Sequence, residues 1–260
     1  MAAVGSTVRA IDVTTIAPIA RPEATALAAA EVARFADALE ALDEGDWALP
    51  TANTLWDVRA MAGHVLGMTE TFTSYRTVVR DMVAAERLKG DGPQVDGLTA
   101  QQVARTAGLS AAELVARLRA AGPRNARWRA RRRVLRAAPL KEHVPGNEPE
   151  TWKMGYLFDR ILTRDTWMHR SDLAAATGRP MHLSAEHDGR IVADAVAEWA
   201  GRHGQPFVLE LAGPAGGSFV HGDPEAPEAA HLAMDAVELC RVLSGRPAAT
   251  DGLLAVQVPF

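Results

Sequence analysis

Glycine and proline divide this chain into long helical blocks, and that punctuation restricts its fold more than any other feature. From Glu23 to about Leu42, apolar residues recur at helical spacing (Leu27, Val32, Phe35, Leu39, Leu42), and Gly45 ends the run. Asp46 to Asn53 reads as a connector containing Pro50. A second helix is expected from Leu55 to Leu88, with Thr54 as N-cap and Asp57 three residues on. Gly90 to Gly97 reads as a turn-rich loop. A third helix is expected from Ser110, with Glu113 at its third position. It should break at Gly122-Pro123 and resume to Arg136. Residues 137–150, with Pro139, Pro145, Gly146 and Pro149, read as a long loop. The fourth helix should span Thr151 to Thr177 and end at Gly178. Four helices of this kind imply an antiparallel four-helix bundle.

After Pro180 the pattern changes. Ser184 opens a helix through Gly201, and Phe207–Leu211 and Ser218–His221 read as strands around a glycine-rich turn. Leu232–Leu243 reads as an amphipathic helix and Leu253–Val258 as a terminal strand. The expected organisation is therefore mainly α with a small α/β part. It comprises an irregular N-terminal arm (residues 1–22), a helical domain (23–180) and a C-terminal α/β domain (181–260).

Composition excludes several classes. The 260 residues carry a net charge of −4, which gives nucleic-acid binding no global support. No window approaches the ~18 apolar residues of a membrane span, and the first twenty residues do not read as a signal peptide. The single cysteine, Cys240, rules out an internal disulfide, and a cytoplasmic location is expected. Cys240 reads as a small core residue. Lysine occurs only at positions 89, 141 and 153, so the seven arginines of Arg124–Arg136 fit an arginine-biased composition and a solvated face. An anionic partner for that run, or carboxylates of a small molecule, is the competing reading.

One constellation carries chemistry. Asp165 and His169 lie four apart in a helical segment, on one face and one turn apart. His64, in the apolar stretch Ala60–Gly67, is the natural third partner. Two imidazoles and a carboxylate could share a metal ion with coordination sites left open, which suits catalysis more than structure. A satisfied core histidine and a local hydrogen-bonded pair are the plainer alternatives. Asp172, three residues after His169, could orient a ligand imidazole or pair with Arg170 or Arg179. Trp47, Trp56 and Trp167 read as core anchors around the bundle end that carries the site, with Trp167 on a different face from the two ligands beside it. His182 and His187 read as capping or solvent-facing. His143, His203, His221 and His231 form no ligand spacing.

Three stretches give the chain a family resemblance. Trp47 to His64 contains Trp56-Asp57-Val58-Arg59 followed by Ala62-Gly63-His64. Arg164–Leu173 contains an acidic residue, His169 and Asp172 in fixed register, and Asp235–Arg246 forms a late helix. In these the chain resembles the mycothiol-dependent maleylpyruvate isomerase family of the DinB-like metalloproteins. The resemblance implies a DinB-like bundle followed by a sterol-carrier-like α/β domain. It implies a divalent metal, zinc by analogy, on His64, Asp165 and His169, and a contact from Arg241 to a thiol cosubstrate, usually mycothiol. The characterised isomerases have glutamate where Asp165 stands, one methylene longer, so the substrate need not be maleylpyruvate.

Metal coordination deprotonates a thiol that is otherwise mostly protonated at neutral pH, with a pKa near ~8.5. The implied activity is addition of that metal-bound thiolate to an electrophilic small molecule. Rotation and elimination would give cis–trans isomerisation; addition or displacement alone would give S-transfer. The alternative is a non-catalytic metal- or ligand-binding protein. Expected partners are the thiol and the electrophile, with neither nucleic acid nor membrane, in a monomer or small homo-oligomer.

Overall fold

The computed structural model describes residues 10–142, 149–247 and 252–260. In chain order the elements are β1 (Ile11–Asp12), α1 (Arg21–Glu40), α2 (Val58–Thr71), α3 (Tyr75–Leu88), α4 (Gln94–Thr106), α5 (Ala111–Arg131), α6 (Arg133–Ala137), β2 (Pro139–Glu142), β3 (Glu150–Lys153), α7 (Met154–Tyr156), α8 (Leu162–Thr177), α9 (Arg190–His203), β4 (Phe207–Ala212), β5 (Gly217–His221), β6 (Ala230–Asp235) and α10 (Ala236–Leu243). They group into two compact units. One holds residues 20–140, 151–181 and Phe260, and the other residues 10–19, 141–142, 149–150, 182–247 and 252–259.

The helical unit is built on α1, α2, α5 and α8. Helix α1 packs on α5 and α8, and α2 packs on the same two. Their apolar faces meet in one core that includes Phe35, Leu39, Met61, Leu66, Leu114, Leu118 and Leu173. Inside this core Arg170 of α8 donates through Nε and Nη2 to both carboxylate oxygens of Glu31 on α1, at 2.8 and 3.1 Å. Such a buried pair is costly to break on one side only.

The expected long second helix is two helices. Asp57, not Thr54, caps α2 by accepting from the Ala60 amide at 2.7 Å. The chain then breaks at Phe72, and a reciprocal Ser74–Thr77 cap starts α3. The turn-rich loop ends earlier than expected, because α4 begins at Gln94 and packs on α2 and α3. Gly63 and Gly67 permit this approach. A Cβ at Gly63 would meet Thr106 Oγ1 at 2.2 Å, and one at Gly67 would meet Gln102 Cβ at 2.5 Å.

Helix α5 starts at the Ser110–Glu113 cap, as the sequence indicates, but does not break at Gly122-Pro123. Buried Leu118 and Ala121 before the proline and Asn125 and Ala126 after it hold the axis through the missing amide. Gly122 lies under Val32 of α1, where a Cβ would come to 2.9 Å. Part of the expected loop 137–150 and the first residues of the expected fourth helix, Thr151–Lys153, form a two-stranded ribbon, β2 with β3; His143 lies outside the described residues. The chain enters α8 through a wide turn at Leu157–Ile161, and α8 closes on Gly178 at φ +67°.

The second unit has a four-stranded mixed sheet in the order β1-β5-β4-β6. β4 and β5, the strands read around the glycine-rich turn, pair as an antiparallel hairpin. The first four residues of the expected helix 232–243 are strand: β6 pairs parallel with β4, and only then does Asp235 cap α10. Leu253–Ala255 forms a short 3-10 turn rather than a terminal strand. The N-terminal arm is not irregular throughout, because Ile11 and Asp12 add a parallel strand to β5. Trp199 of α9 packs on Phe207 at 4.9 Å between ring centroids. Cys240 is buried in α10, as expected of a small core residue. His187 is buried rather than solvent-facing.

Candidate metal centre

Helices α2 and α8 bring three sequence-distant side chains to one point. His64 comes from α2, and Asp165 and His169 lie one turn apart on α8. One ligand atom from each lies within 4.8 Å of the others. His64 is 5% exposed and His169 7%, while 26% of the Asp165 side chain is exposed. The cluster is therefore dry on its imidazole side and reachable on its carboxylate side.

Each imidazole has a polar neighbour at its far nitrogen. His64 Nδ1 donates to Gln102 Oε1 of α4 at 2.8 Å, which leaves Nε2 with its lone pair. His169 Nδ1 lies 3.3 Å from Asp172 Oδ2, while its Nε2 lies 3.5 Å from Asp165 Oδ1. The Asp172 contact is at ion-pair distance without hydrogen-bond alignment. The two arginines considered for Asp172 reach other acids: Arg170 bonds Glu31, and Arg179 bonds Asp43 and Asp46.

The electrostatics of the two histidines are opposite. Burial, with repulsion from His169, pushes His64 down to about 4. Burial also opposes charge on His169, but Asp165 and Asp172 outweigh it and push that imidazole up to about 9. The metal-free cluster thus keeps one positive charge, on His169.

Trp56 walls the site, with its ring centroid 4.9 Å from that of His64 and 6.2 Å from that of His169. It also packs against the core, as expected of an anchor at the end of the bundle that carries the site. Trp47 and Trp167 are core residues, at 6% and 0% exposure. Arg241 lies on α10 of the other unit, 3.9 Å from Glu238. Gln102 was not foreseen; it sits on the helix the sequence reading missed. Among the arginines of the basic run, Arg129 is buried and donates to Asn125 Oδ1 at 3.1 Å and to the Phe158 carbonyl in the wide turn. Arg136 pairs with Asp159, and Arg132 lies over the Tyr75 and Trp128 rings. No helix among the described residues is long and apolar enough to cross a membrane.

Fold and site together define a helical bundle with a buried cluster of two histidines and one carboxylate, in a chain that also carries a small α/β unit. A family model described as the mycothiol maleylpyruvate isomerase N-terminal domain matches residues 28–174, more than half of the chain, and the chain belongs to that family. No curated protein sequence matches it. Among solved structures, the crystal structure of the mycothiol-dependent maleylpyruvate isomerase is similar at 15% identity, over 92% of this chain and 93% of that one, with a TM-score of 0.53. A point mutant of that enzyme gives the same identity and coverage, with a TM-score of 0.52. At this identity the likeness is one of fold.

Proposed function

We propose that this chain is a metal-dependent enzyme that uses mycothiol, or a similar low-molecular-weight thiol, as cosubstrate. The observation that carries this reading is the convergence of His64, Asp165 and His169 inside the family's helical fold. The donor set suits a divalent cation, zinc by preference: two neutral-capable nitrogens and one carboxylate, with no fourth ligand in the cluster among the described residues. The site's charge agrees, because it already holds a proton on His169 where a cation would stand.

A divalent ion held there would supply Lewis acidity that lowers the pKa of a thiol. The protein's own groups prepare for it. Gln102 fixes the His64 tautomer so that Nε2 faces inward. Asp172 draws on His169 from the opposite side to Asp165 and orients the ring. Asp165 contributes negative charge from the exposed edge, where a small molecule can approach. Trp56 covers both imidazoles and keeps water off them, which strengthens each charge interaction in the pocket. The thiolate adds to an electrophilic double bond; rotation about the resulting single bond and expulsion of the thiolate give cis–trans isomerisation of the maleylpyruvate type, whereas keeping the C–S bond, with protonation of the neighbouring carbon or loss of a leaving group, gives S-transfer.

Metal analysis of the wild type beside His64→Ala and His169→Ala tests the site. About one divalent ion per chain is expected in the wild type and a large loss in both variants. Mycothiol should then perturb the visible spectrum of the cobalt-substituted protein. A wild type that binds cobalt without responding to thiol would favour a non-catalytic metal-binding protein.

A further inference from the structure

The helical unit has a second concavity, of about 290 Å³, lined by Arg80 of α3, Arg105 of α4, and Arg117 and Arg124 of α5. Glu70, Thr73 and Thr77 complete the polar part of its wall. Two carboxylates are engaged with these arginines. Glu70 takes a two-pronged bond from Arg117, at 3.0 and 2.7 Å, and lies 3.5 Å from Arg105. Asp81 is fully buried and accepts from Thr71 and from Arg80 Nε, at 2.7 Å each, with Arg105 at 3.9 Å.

Four arginines therefore line the cleft beside one carboxylate, Glu70, while Asp81, fully buried, pairs with two of them. The acids hold the arginines in place without neutralising them. Arg124 has no ion-pair partner among the described residues, and Arg80, half exposed at the cleft wall, meets its acid through Nε. Arg105 is mostly buried, and its Nε has no hydrogen-bond acceptor among the described residues. A buried donor without a partner is costly, so a ligand that draws the Arg105 side chain toward the cleft would relieve that cost. Burial also lowers the Arg105 pKa; an anion in the cleft would offset that penalty.

We propose that this cleft binds a phosphate-type dianion, free or as a phosphomonoester, between Arg80, Arg105 and Arg124. Planar guanidinium groups converging from three helices suit a tetrahedral anion with several acceptor oxygens. The site is separate from the triad: none of His64, Asp165 or His169 lines it.

Calorimetric titration of the full chain with inorganic phosphate, and separately with glycerol phosphate, at low ionic strength tests this. One anion per chain should bind. The Arg80→Gln/Arg124→Gln double variant removes two exposed groups and should weaken binding at least about tenfold, the equivalent of one charge-assisted bond. Arg105→Lys keeps a charge beside Glu70 and Asp81 but removes Nε, and should weaken binding while the melting temperature holds. His169→Ala should bind as the wild type does. Tighter binding of glycerol phosphate would identify an ester as the natural form, and equal binding the free ion. No heat with either anion, unchanged affinity in the double variant, or loss in His169→Ala would overturn the proposal.

Discussion

Gln102 and His64 lie 38 residues apart, yet the amide oxygen of one accepts from Nδ1 of the other at 2.8 Å. That bond selects which imidazole nitrogen is left to donate, so α4, which supplies no ligand, sets the chemistry of α2.

Gln102→Leu should lower metal affinity about 10–100-fold, the usual cost of losing such a support. Gln102→Glu, which keeps an acceptor for Nδ1–H, should bind metal well. Competition with a chromogenic chelator measures both. Equal affinity in Gln102→Leu and the wild type would leave Gln102 with packing alone.

Asp165→Asn keeps the shape but removes the charge. Metal affinity should fall sharply, and His169 should titrate below its wild-type position, because its largest charge-favouring neighbour is gone. Asp165→Glu should retain the ion but displace it by up to about a methylene length, enough to disturb a positioned reactant. Metal stoichiometry and histidine NMR report the two effects. If Asp165 were only a surface partner worth under ~1 kcal/mol, neither would change.

Metal binding should release protons. At pH 7 the metal-free His169, with its pKa raised to about 9, is charged and must lose a proton to bind; His64, lowered to about 4, has none to lose. Affinity should therefore rise about tenfold per pH unit up to about pH 9 and level off beyond. The same shifts bear on metal-free stability. His169 contributes stability below its unfolded value near 6.5, and this is lost as pH rises through about 9. His64 resists protonation, so stability falls as pH drops from about 6.5 toward 4. Calorimetry in buffers of different ionisation enthalpy should count about one proton per ion at pH 7; a count of zero would contradict the charge assignment.

Gly67→Ala would place a Cβ 2.5 Å from Gln102 Cβ and 3.1 Å from its Cα, so α4 must move. Overpacking of this kind costs about 1–3 kcal/mol, and metal affinity should fall with it as Gln102 leaves His64. Gly108→Ala, with nothing within 4 Å of the added atom, is the control and should be nearly neutral. Thermal melting with and without zinc reads both.

The sequence showed the triad because the α8 pair has a fixed helical spacing and His64 stands in a strongly apolar stretch. It did not show Gln102. Helix α4 begins among Gly90, Gly92 and Pro93 and contains Gly97, residues that read as a turn when taken alone. What makes it a helix here is its docking on the Gly63–Gly67 face, a long-range effect. The same holds at Pro123, where packing on both sides carries α5 past a local break. It holds again at β6, where pairing with β4 draws Ala230–Asp235 out of a helical pattern. Local signals located caps such as Ser110 and Gly178 well, because a cap needs only its own turn.

The β1–β5 pairing also has a consequence in time. Ile11 is registered against Phe219, about two hundred residues later. At roughly 5–20 residues per second of synthesis, the first strand emerges on the order of 10–40 seconds before its partner exists. The C-terminal unit thus cannot begin its own completion until the helical unit's chain has been made, and a truncation that begins at residue 13 would leave the β5 edge open to pairing with other molecules.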